Sequence, residues 1–263
     1  MRFVPAVARF VGGRRQFVGF QKRVFKRGPT LETREVLGMK GLYCLILAGA
    51  GVAACLLAET VRFDHVVRND FFAGFAGNRE AFERAMKATE AVLKSDAKHA
   101  EALAWHGSGL MQQAGELFRQ GDQQKGVALW SKALAEMEEA VAIAPRNVGV
   151  RAPRGATLFT ASRFAPPQQS RPLLEAAIQD YETILDVQTA HFDKIGVHPK
   201  GELLFGLAEG YSRLNDATKA RAFFERITRE LPGTVYAKRA DKWLAGGKLE
   251  PAETRCVGCH VAR

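Results

Sequence analysis

The residues in this sequence best suited to chemistry are Cys256, Cys259 and His260, which stand together as Cys256-Val257-Gly258-Cys259-His260. Two thiols two residues apart, with an imidazole beside the second, form the C-x-x-C-H pattern of covalent porphyrin attachment. The spacing has a chemical reason. Each thiol adds to one of the two vinyl groups of a single porphyrin, and the adjacent imidazole then lies beneath the iron as proximal ligand. Only Val261, Ala262 and Arg263 follow. The expectation is that a sixth ligand comes from the preceding domain, from a partner, or not at all. Candidates by residue type are His65, His99, His106, His191, His198, Met86, Met111 and Met137. Each is more commonly a core or surface residue than a ligand. His198, in the loop-like Gly196-Val197-His198-Pro199, is the most open to that role.

Other chemistries of the cysteine pair fit less well. A zinc knuckle needs a fourth ligand, and the sequence has no second Cys/His cluster. A redox-active C-x-x-C belongs at a helix start in a βαβ pattern, which is absent. The remaining cysteines, Cys44 and Cys55, lie far away in an apolar run, so no disulfide framework staples the domain. The pentapeptide resembles that of c-type cytochromes at its three defining positions. The resemblance implies one covalent haem c, with Cys256 and Cys259 as thioethers, His260 on the iron, and single-electron transfer as the activity. It covers five residues only. In most cytochrome c domains the motif lies near the start and a later segment supplies the distal ligand, an arrangement that this tail does not offer.

Haem attachment of this kind takes place outside the cytoplasmic membrane, and the other end of the chain carries an export signal. The formal charge of the protein is +10. Residues 1–38 hold nine Lys and Arg against Glu32 and Glu35, so +7 of it sits in this leader. Residues 41–58, GLYCLILAGAGVAACLLA, are an uncharged run of 18, at the lower edge of what spans a bilayer as a helix. Basic residues before it and few after it orient the N-terminus inside and residue 59 onward outside. Two routes stay open. Starting from Met39, the segment is a short signal peptide whose Val52-Ala53-Ala54-Cys55 resembles a lipobox, making Cys55 a lipidation candidate. Starting from Met1, the segment is an uncleaved membrane anchor. Either way the protein is expected on the periplasmic side of a bacterial membrane. The Arg14-Arg15 pair lies too far from the apolar core to serve as a twin-arginine signal. A nucleic-acid partner rests on charge alone, and that charge belongs to the leader.

Between the two ends the apolar periodicity is helical, with no sustained alternation to suggest strands. Within residues 201–234, Leu204, Leu207-Ala208, Tyr211, Ala220, Phe224 and Pro232 fall on the spacing W-x2-L-G-x2-Y…A-x3-F…P. They resemble the tetratricopeptide repeat (TPR). Asn215-Asp216 would turn the chain between the two helices, and Pro232 would end the second. A stretched repeat follows Leu103-x2-His106-Gly107-x2-Leu110 and Ala133-x3-Met137…Pro145, its longer helices meeting near Gln120-Gly121-Asp122. Residues 79–95 read as the second helix of a preceding hairpin. A further helix is expected over 173–191 with Ser170 as N-cap, and another over 235–245, capping the stack. Trp105, Trp130 and Tyr181 read as packing residues rather than groove linings.

The fold expected is therefore all-α: a TPR-like helical-hairpin solenoid preceded by one N-terminal transmembrane or signal segment. Residues 1–40 form the leader, 41–58 the signal peptide or anchor, 70–245 the solenoid and 246–263 a flexible tail with the haem motif. The TPR resemblance implies a protein-binding surface and nothing catalytic. The sequence also lacks G-x-S-x-G, a Walker loop, H-E-x-x-H and a Rossmann glycine run, so an electron carrier or binding module is expected rather than an enzyme. Ten residues, 246–255, tether the motif with a root-mean-square reach of roughly 17–19 Å. That lets the haem fold back on the solenoid or meet a neighbour. An exposed haem has a lower potential than a buried one and transfers electrons readily to a docked redox partner. The alternative expectation is a haem-free periplasmic TPR lipoprotein that scaffolds protein assembly.

Overall fold

A computed structural model describes residues 62–249, and every regular element among them is a helix. In chain order these are α1 (Phe63–Phe75), α2 (Arg79–Ser95), α3 (Ala100–Arg119), α4 (Gln123–Ile143), α5 (Val148–Ala161), α6 (Pro167–Gln188), α7 (Val197–Arg213), α8 (Ala217–Glu230) and α9 (Val235–Gly246). A 3-10 segment, Thr189–Lys194, leads from α6 into α7. The leader, the apolar run 41–58 and the haem motif lie outside the described residues. Among those described, no helix is long and apolar enough to cross a membrane.

Three turns are built in one way. Gly77, Gly121 and Asn215 take left-handed backbone, with φ of 107°, 85° and 63°. Glycine and asparagine tolerate that region, which closes a helix C-terminus. The next residue in each case, Asn78, Asp122 or Asp216, donates its N–H back five residues, to Ala73, Leu117 or Tyr211, at 2.9–3.0 Å. Its side chain then caps the following helix by accepting from Ala81, Lys125 or Lys219 N–H at 3.0–3.1 Å. Two adjacent residues thus end one helix and start the next. The hairpins α1–α2, α3–α4 and α7–α8 share this turn. The remaining hairpin, α5–α6, does not: Pro166 precedes α6 and Pro167 opens it.

The helices pack in a regular order. Each hairpin's two helices lie against each other, α2 lies on α3, α4 on α5, α6 on α7 and α8 on α9. In addition α1 contacts α3, α3 contacts α5, and α7 contacts α9. Phe71, Met137, Leu158, Leu204, Leu207, Phe224 and Ile227 are fully buried between them. Close approach is made possible by small residues: a Cβ at Gly107 would sit 2.8 Å from Met137 Cγ and 2.9 Å from the Ala133 carbonyl oxygen. Large aromatics fill the crevices, as expected. Trp105 is buried and stacks on Phe71 with ring centroids 5.1 Å apart, Trp130 packs on Phe118, and Tyr181 on Phe159.

Two local expectations are corrected. Helix α6 starts at Pro167, so Ser170 lies inside it rather than capping it, and its hydroxyl donates to the Ser162 carbonyl at 2.5 Å. The proline at the helix start brings its own suitable φ and needs no side-chain cap. His198 lies in the first turn of α7 and not in a loop. Pro199 is tolerated there because the first-turn N–H groups have no intrahelical partner in any case.

Candidate functional site

Cys256, Cys259, His260 and the lipidation candidate Cys55 lie outside the described residues, so the structure speaks to what precedes and surrounds the tail's exit. Helix α9 ends where Gly247 turns left-handed (φ 68°) and its N–H bonds the Trp243 carbonyl at 2.6 Å. One helical turn earlier the Trp243 ring stacks on Phe224 with centroids 4.5 Å apart, and its Nε1–H donates to Ser212 Oγ at 3.0 Å. The chain therefore leaves the fold beside the C-terminal end of α7.

The candidate sixth ligands separate by environment. Met86, Met111 and Met137 are buried core side chains. His106 is buried too, its Nδ1 lying 2.6 Å from Glu136 across the α3–α4 hairpin. His99 Nδ1 caps α3 by accepting from the Ala102 N–H. His65, His191 and His198 are exposed, and His198 Nδ1 lies 2.8 Å from the Tyr236 hydroxyl. Among the described residues no group of three or more His, Cys, Asp or Glu side chains could hold a metal ion.

The C-terminal ends of α5 and α7 gather the most unusual side chains. The guanidinium carbons of Arg163 and Arg213 lie 5.2 and 5.3 Å from the Phe159 ring centroid. Arg163 Nη2 donates to buried Glu209 at 2.6 Å, and Arg213 Nη2 donates to Ser162 Oγ at 2.8 Å. Arg239 of α9 lies over the Phe205 ring and acts on Glu209 electrostatically. Burial pushes the Glu209 carboxyl above its ordinary pKa while Arg163, Arg213 and Arg239 pull it down. Burial, and then the like charge of Arg163, lowers the pKa of Arg213. Arg213 Nη1 is enclosed without a hydrogen-bond acceptor. Beside this group Phe164 projects from the α5–α6 turn, 83% exposed.

A second charged cluster is closed on itself. Asp180 of α6 is inaccessible to solvent and accepts from Arg151 Nη1 at 2.5 Å and from Arg154 Nη1 at 2.8 and 2.7 Å. Arg154 Nη2 reaches on to Glu138 of α4 at 3.0 Å. Burial drives the Asp180 carboxyl upward in pKa, with Arg154 and Arg151 opposing. Glu101 of α3 similarly accepts from the Asp64 N–H at 3.0 Å and from Asn147 Nδ2 at 3.1 Å, tying α1, α3 and the start of α5 together. These clusters orient helices.

Sequence reasoning missed both arginine groups. The usable signal was charge at core-periodic positions: Arg151 and Arg154 share the face of Val150 and Leu158, and Glu209 sits among Leu207, Ala208 and Tyr211. No protein-family model matches the chain, and no curated protein matches it significantly.

Proposed function

We propose that this protein is an exported, membrane-anchored c-type haem protein that passes single electrons, its TPR-like helical array docking a protein redox partner. The observation that carries this is Cys256-Val257-Gly258-Cys259-His260, tethered behind a helical-hairpin array and preceded by the apolar run 41–58. Cys256 and Cys259 would hold the porphyrin as thioethers and His260 would hold the iron. The group supplies a one-electron couple when bound. Residues 41–58, or a lipidated Cys55, would anchor the chain with residue 59 onward on the periplasmic side.

Three features support the TPR-like assignment. The hairpin turns at Gly77, Gly121 and Asn215 repeat one design. First helices of successive hairpins meet: α1 packs on α3, α3 packs on α5, and Arg213 of α7 lies over the Phe159 ring of α5. Gly107 meets Ala133 across its hairpin, a small residue on a small residue where the repeat pattern calls for both. Haem staining of a denaturing gel, after co-expression with a cytochrome c maturation system, tests the proposal. The wild-type band should stain and the C256A/C259A band should not. An unstained wild-type band defeats it.

A further inference from the structure

The four hairpin turns differ in what they present to solvent. Gly77-Asn78, Gly121-Asp122 and Asn215-Asp216 are polar, whereas the turn from α5 to α6 presents Phe164-Ala165-Pro166-Pro167. Phe164 is 83% exposed, more than any other large apolar side chain among the described residues, and both prolines are exposed beside it. The backbone of this turn has no N–H left to offer. Ser162, Arg163, Phe164 and Ala165 donate to the carbonyls of Leu158, Thr160, Ala161 and again Ala161 at 2.9–3.1 Å, and prolines carry no N–H. The turn is also pinned from behind. Ser170 Oγ donates to the Ser162 carbonyl at 2.5 Å, and Arg213 Nη2 donates to Ser162 Oγ at 2.8 Å.

An apolar tip whose N–H groups are all met or missing suits a medium that cannot hydrogen-bond, since an unmet backbone donor is costly in lipid. The surrounding chain suits an anionic surface: residues 140–174 hold five arginines and no Asp or Glu. Two of the five flank the tip. Arg163 is engaged at its base with Glu209, while Arg171 has a side chain 67% exposed and pairs with exposed Glu175 of its own helix. Such a surface pair is worth little, so this guanidinium can turn to a lipid phosphate at small cost. A protein interface is the poorer match. A stable one buries about 800 Å² per partner, and one projecting phenylalanine with two prolines supplies a fraction of that. A bilayer takes up an isolated aromatic side chain without a complementary surface.

We infer that the α5–α6 turn is a membrane wedge: Phe164, with Pro166 and Pro167, enters the headgroup region of an anionic bilayer, and Arg171 meets lipid phosphates. Full burial of a phenylalanine side chain shifts an equilibrium by roughly ten- to a hundredfold. That is marginal for a free protein and sufficient to orient one held near the surface. Arg213 lies beside Phe159, so the α7–α8 turn adjoins the wedge, and α8 runs from there to the far end, where Val235 begins α9. The wedge thus turns the Val235 end away from the membrane. Nothing in it depends on the haem proposed above.

Fluorescence of the full-length protein carrying F164W provides the test. It is mixed with vesicles of equal parts phosphatidylcholine and phosphatidylglycerol whose acyl chains carry bromine. Wild type supplies the background of Trp105, Trp130 and Trp243, and V235W, at a 41% exposed position on the far end, supplies the control. The emission added by F164W should shift to the blue and be lost to bromine quenching, and that added by V235W should do neither. Vesicles of phosphatidylcholine alone, or R171Q placed in the F164W background, should quench less. F164W emission unmoved by either vesicle overturns the wedge, as does equal quenching of F164W and V235W. A blue shift without vesicles that grows with protein concentration also overturns it, because a second copy then covers the ring. Haem stain is read on the same samples. Stained protein with unquenched F164W defeats the wedge alone, and quenched F164W in unstained protein defeats the haem proposal alone.

Discussion

Removing Asp180 is the sharpest test of how the α5–α6 hairpin is held. The D180A variant leaves Arg151 and Arg154, themselves 8% and 6% exposed, with two buried guanidiniums and no carboxylate between them. Breaking a buried ion pair from one side costs about 3–5 kcal/mol, because the surviving charge is neither hydrated nor matched. Whole domains are stable by only about 5–15 kcal/mol, so this is a large fraction. At about 2–4 °C per kcal/mol for a domain of this size, the melting temperature should fall by about 6–20 °C. E138A removes the other partner of Arg154, but Glu138 is 77% exposed in its side chain, and the expected loss is below about 1 kcal/mol. Thermal and urea unfolding followed at the helical circular dichroism band measure both. The two should differ by several kcal/mol. A D180A protein within about 1 kcal/mol of wild type would refute the assignment of Asp180 as the charge that lets two arginines be buried.

Other expectations are smaller in scope. G107A should destabilise by about 1–3 kcal/mol, because its Cβ would press on Met137 Cγ at 2.8 Å and on the Ala133 carbonyl at 2.9 Å. G115A in the same helix meets only Arg119 Nη1 at 3.6 Å and should stabilise by about 0.5–1 kcal/mol; denaturant midpoints decide both. Burial raises the folded-state pKa of Glu209 above its unfolded value, so its contribution is full below the unfolded value and is lost as pH rises through the folded one. The wild-type melting temperature, taken relative to that of E209Q at each pH, should therefore rise as pH falls toward the unfolded carboxylate value. A difference between wild type and E209Q that does not change with pH would count against burial as the cause.

Much of the helical order was legible because it depends on local chemistry. Residues 79–95 form α2, and the turns at Gln120-Gly121-Asp122 and Asn215-Asp216 fall where the left-handed residue and the capping carboxylate stand side by side. The region around 150–194 was read less well. There Pro153 and Pro172 are carried inside α5 and α6, and Pro166-Pro167 start a helix that the serine three residues on suggested would begin later. His198 shows the same effect, since a Gly-x-x-Pro segment suits a loop and a helix first turn equally. The arginine clusters were not legible at all. Whether Arg151, Arg154 or Arg213 is solvated or buried depends on which residue of another helix faces it, and Asp180 and Ser162 are 29 and 51 residues away from their partners.

The central claim is that Cys256 and Cys259 carry one porphyrin on an exported chain. The intact mass of the native protein, purified from membranes, tests it most directly. The account predicts a polypeptide heavier by one haem, carrying lipid at Cys55 if the chain has been cleaved there. A mass equal to the bare polypeptide would contradict it.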